Sequence, residues 1–128
     1  MSETIPTYAI LFEPTEIELE QWPFLRIGGV TMDSLNPMAQ HFCHVYNAYK
    51  MNMLVYGLLT GRQEIPEKGG EVYREIDTRA RESKVDPMKA RDKAEECLKV
   101  LVNLRDGKYA EQGITCDTVL TLKPTILN

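Results

Sequence analysis

The chain has 128 residues, a net charge of −4, and 43% hydrophobic against 27% charged residues. That length suits one domain with a real core, and the composition excludes a disordered or collagen-like chain. The acidic balance argues against a general nucleic-acid binder. The charge is unevenly placed: residues 1–25 hold five acids and no base, while residues 79–108 hold nine bases against six acids.

Residues 1–128 read as a single domain with 1–6 as a loose arm. The acidic start and short apolar run do not make a signal peptide. The run Tyr8–Phe12, stopped by Pro14, reads as a first, central strand. In Glu16–Glu20, Ile17 and Leu19 alternate with three glutamates, which predicts a second strand with an acidic outer face. Thr15 and Glu18 also have capping-box spacing, so a short helix is the minor reading there. After Trp22-Pro23, Phe24–Met32 reads as a third strand with a bulge at Gly28-Gly29.

Asn36–Gly61 is the stretch around which the rest is arranged. Asn36 suits an N-cap, Pro37 the first helical position, and Gly61 the left-handed residue past the end. The helix from Pro37 to Thr60 spans roughly 36 Å. In its first half Gln40, His41, His44, Asn47 and Lys50 form a polar side. After Lys50 that side nearly vanishes, and Met51, Met53, Leu54, Val55, Tyr56, Leu58 and Leu59 point in all directions. A helix apolar all round needs cover all round. Lys50, the histidines and the asparagines interrupt the roughly 20 apolar residues of a membrane span, so the excess points to a contact between subunits.

Arg62–Gly70 reads as a loop. A helix over 71–84 carries the narrow stripe Val72, Tyr73, Ile76 and Ala80. Asp86-Pro87 opens a third helix, to about Asp106, with a core face of Ala90, Ala94, Cys97, Leu98, Leu101 and Leu104. Alternation over Ile114–Leu122 predicts a last strand. The resulting order is β-β-β-α-α-α-β. It implies an α+β fold: a small, mostly antiparallel sheet of three N-terminal strands and one C-terminal strand, with three helices packed on one face.

Candidate chemistry is sparse. His41 and His44 share a helix face, but a third ligand and the Glu of HExxH are missing, so no metal site is read. Cys43 beside a histidine lacks an orienting third group and reads as an inert thiol. The cysteines, Cys43, Cys97 and Cys116, contain no CxxC pair and suit a reducing, cytoplasmic setting. Arg79 and Arg81 form i, i+4 pairs with Glu75 and Asp77, the pattern of a solvated helix. They remain, with His44, the residues placed to reach an anionic ligand. Tyr49, Met53, Leu54, Tyr56 and Leu58 are the expected interface.

The reading is a small, non-catalytic, cytoplasmic interaction protein without cofactor. It forms a homo-oligomer, in the first instance a dimer, through the helix 36–61. It binds another protein as an inhibitor, adaptor or assembly factor does, and a chain of this kind is at home in a phage or mobile element. The alternative is an oligomeric binder of a nucleotide-like anion, with an enzyme using carboxylates or Cys43 in third place. Neither membrane nor nucleic acid is an expected partner.

Overall fold

The computed structural model describes residues 12–26 and 37–121, and every regular element among them is helical. Helix α1 spans Glu16–Gln21 and is followed by a 3-10 turn, Pro23–Arg26. Then come α2 (Pro37–Thr60), α3 (Glu71–Glu82), α4 (Pro87–Arg105), a 3-10 turn at Ala110–Gln112, and α5 (Cys116–Thr121). The expected α+β fold is overturned, because neither a strand nor a sheet is present among the described residues. Its three central helices stand where the sequence placed them.

Local chemistry explains those three helices. Gly61, at φ 79°, ends α2, and the Gln63 amide returns to the Gly57 carbonyl at 3.0 Å. Asp86 caps α4 by accepting from the Met88 amide at 2.9 Å, with Pro87 in the first turn. Helix α3 ends in a Schellman closure, the Val85 amide donating to the Ala80 carbonyl at 3.0 Å. The left-handed residue of that closure is Lys84, at φ 55°, where glycine is usual.

The expected strands fail for separate reasons. At Glu16–Glu20 the capping box forms: the Thr15 amide donates to Glu18 Oε1 at 2.8 Å and the Glu18 amide to Thr15 Oγ1 at 3.2 Å. Two first-turn amides are thereby satisfied, which favours a helix. The alternation is also broken by the fold, since Ile17 points outward and Glu18 inward while Leu19 packs against the core. At the C-terminal end, Thr115 Oγ1 accepts from the Thr118 amide at 3.1 Å and starts α5. Val119, which the expected alternation groups with Thr115, Asp117 and Thr121, is 0% exposed. Pro23–Arg26 is a 3-10 turn with Phe24 and Leu25 buried. The remainder of the third strand, and Tyr8–Leu11 of the first, lie outside the described residues. Phe12 is in no strand.

The core has two parts. In the larger, Trp22, Phe24 and Leu25 meet Ala39, Phe42 and Tyr46 of α2, Leu101 and Leu104 of α4, and Val119 of α5. Early α2 thus packs on late α4, so the two helices, the most extensively paired in the fold, run antiparallel. The smaller cluster joins Leu54 and Leu58 of α2 to Ile76 of α3. Phe12 packs against both clusters.

Candidate functional site

Helix α1 is fixed to α2 by a polar group set within the apolar surroundings. Tyr46 donates its hydroxyl to Glu18 Oε1 at 2.9 Å, and Lys50 Nζ meets Glu18 Oε2 at 3.1 Å. Burial works against the Glu18 carboxylate. The Thr15 amide, the Tyr46 hydroxyl and Lys50 outweigh it and hold the pKa below the usual value. Burial, then the Glu18 carboxylate, push the Tyr46 phenol well above its usual range. With Lys50 held by Glu18, this set anchors α1 rather than offering a free acid or base.

Beside that anchor an open groove of about 590 Å³ runs along the second half of α2. Tyr49, Lys50, Met53, Leu54, Tyr56 and Gly57 supply its α2 side; Phe12, Glu13, Arg62, Gln63 and Tyr73 complete it. Gly57 lets the chain fold back closely here, since a Cβ at that position would lie 2.8 Å from Gln63 Cβ. The Arg62 guanidinium sits 5.4 Å from the centre of the Tyr56 ring, within cation–π range. A second cavity of about 500 Å³, mostly apolar, lies at the start of α2 between Met38, His41, Phe42, Val100, Tyr109 and Ile114.

The structure divides the expected interface residues. Leu54 and Leu58 are 8% and 5% exposed and pack with α3 within the chain, Leu54 also bordering the groove. Tyr49, Met53 and Tyr56 line the groove, with Met53 39% exposed. The residues expected to reach an anion stand elsewhere. His44 lines neither cavity. Arg79 pairs with Glu75 at 3.1 Å and Arg81 with Asp77 at 2.9 Å. Arg81 Nη2 also donates to the Leu58 carbonyl at 3.2 Å, tying α3 to the end of α2.

Two cations line the groove: Lys50, which Glu18 holds, and Arg62, which the sequence places in a loop. Its place directly after the helix-ending Gly61 was the available signal. In the sequence Tyr73 belongs to the apolar stripe of α3 and Glu13 to the acidic segment, with no local sign that either meets α2. Asn47, expected on the polar side of α2, is buried and donates to the Cys43 carbonyl at 3.0 Å. Burial pushes all three thiols, Cys43, Cys97 and Cys116, above their usual pKa, the reverse of what activates a nucleophile. Among the described residues no group of three His, Cys, Asp or Glu side chains is placed to hold a metal ion. No helix there is long and apolar enough to cross a membrane.

Comparison of the chain with protein-family models, with curated proteins and with solved structures finds no match.

Proposed function

We propose that this chain is a small, non-catalytic, cytoplasmic interaction protein. It associates with itself through the open side of α2 and acts on a further protein as an inhibitor, adaptor or assembly factor. The observation that carries this reading is the composition of the groove: three tyrosines, an exposed methionine and an arginine in one concave surface. Tyr, Met and Arg are enriched where proteins meet, because each combines a large apolar body with adaptability or a polar tip.

Light scattering coupled to size exclusion tests the self-association. The wild type is expected at about twice its 14.6 kDa chain mass. Met53→Asp combined with Tyr56→Ala is expected to give monomer with an unchanged helical circular dichroism spectrum. A wild type that stays monomeric up to high concentration overturns the reading.

One observation favours a second reading, a binder of a small anionic ligand. Arg62 stands over an aromatic ring in a cavity whose volume falls in the ordinary range for ligand sites. A thermal shift of several degrees from one member of a nucleotide panel, abolished by Arg62→Ala, selects it over self-association.

A further inference from the structure

The outer side of α1 carries an exposed apolar side chain flanked by acids, beside a groove that holds an exposed arginine. Ile17 is 65% exposed, the most exposed large apolar side chain among the described residues. Glu16 and Glu20, on the same helix, are exposed, and among the described residues neither enters an ion pair. Ile17 and Glu20 are three apart on a helix, Glu16 and Glu20 four apart, so they share one side. That side is an apolar knob among like charges, and it faces away from its own α2, because Glu18 on the inner side is held by Tyr46 and Lys50. The groove presents the converse: exposed Met53 between Tyr49 and Tyr56, and Arg62, which has no carboxylate partner among the described residues.

We propose that the occupant of the groove is α1 of a second copy of this chain. Ile17 of one protomer enters between Tyr49, Met53 and Tyr56 of the other, and Glu16 and Glu20 flank Arg62. The inference rests on the self-association proposed above and names its two surfaces. Since Glu13, which leads into α1, and Lys50, which anchors α1, both line the groove, knob and groove lie side by side on each protomer. A two-fold axis between them forms both contacts at once and closes the assembly as a dimer. Burying Ile17 covers the most exposed of the large apolar side chains among the described residues, and Arg62 relieves the repulsion among the carboxylates.

Charge reversal tests the pairing on the full chain, read as the dimer dissociation constant by sedimentation. Arg62→Glu alone, and Glu16→Arg with Glu20→Arg, are each expected to weaken the dimer by about tenfold or more. Combining the reversals restores most of the affinity, because the charges again oppose. Ile17→Ser removes the knob and gives monomer. All these side chains are exposed, so the helical spectrum of each variant is expected to stay as in the wild type, which confirms folding. If the wild type never associates, this inference falls together with the self-association. If the wild type associates but is indifferent to these changes, or the combined reversal restores nothing, only the assignment of the surfaces falls.

Discussion

The first half of α2, up to Lys50, lies against α4, α1 and the turn that follows α1, and its inward residues belong to a cluster of nine buried side chains. The second half, from Met51, shares a cluster with one other helix, α3, in which Leu54, Leu58 and Ile76 are the buried members. The same apolar density along one helix is therefore used in two ways. Where several elements converge, apolar side chains are consumed as core. Where α3 covers one side, Met53 and Tyr56 are left over beside a groove. Apolar content alone does not distinguish core from contact surface; the side on which a neighbouring element packs does.

The comparison can be broken most directly by truncating one leucine in each half. Leu101→Ala, at the centre of the large cluster, is expected to cost about 3–4 kcal/mol, and Leu54→Ala about 2–3 kcal/mol, because the smaller cluster relaxes more readily around a cavity. Urea midpoints at equal slope measure both. Equal costs, or a larger one at Leu54, would mean that the halves are packed alike.

A smaller effect belongs to the first half alone. Glu18→Gln is expected to cost about 1.5–3 kcal/mol, the range for hydrogen bonds to a charged group. The folded-state pKa of Glu18 is depressed below 4.5, so its contribution is complete above that value and fades as pH falls through the folded-state value. The gap in stability between wild type and Glu18→Gln should narrow as the solution is acidified below pH 4.5. A gap independent of pH would show that the carboxylate charge does not anchor α1.

The smallest change expected is a gain, in the element that covers the second half. Lys84 closes α3 in the left-handed region, so Lys84→Gly should stabilise by about 0.5–1 kcal/mol, the relieved strain exceeding the added freedom of the unfolded chain. Thermal melting reads it, and a loss of stability would mean that the Lys84 side chain contributes more than its backbone costs.

Helices α2, α3 and α4 were legible because their ends are set by local chemistry: Pro37 and Gly61, the pair Asp86-Pro87, and apolar stripes long enough to fix a period. Residues 16–20 and 114–122 were not. Over six residues, alternation with period two barely differs from a single helical turn. At α1 the capping-box spacing of Thr15 and Glu18 was visible as the minor reading, but the bonds from Glu18 to side chains 28 and 32 positions away, which hold the helix in place, are in no local pattern. The site was legible in the same proportion. Tyr49, Met53 and Tyr56 were visible as apolar excess on α2. Leu54 and Leu58 looked identical to them until α3 took its side. Arg62 and Glu13 joined the groove only once the segments flanking α1 and α2 had folded back.

The single tryptophan of the chain, Trp22, is buried in the larger cluster, whereas the second half of α2 and α3 hold only tyrosines. Its emission is thus a private reporter of the first half. Circular dichroism at the helical band sums over both. The chain carries its own pair of probes: coincident melting by the two signals marks one cooperative unit, and a dichroic change that precedes the tryptophan red shift marks α3 peeling away first.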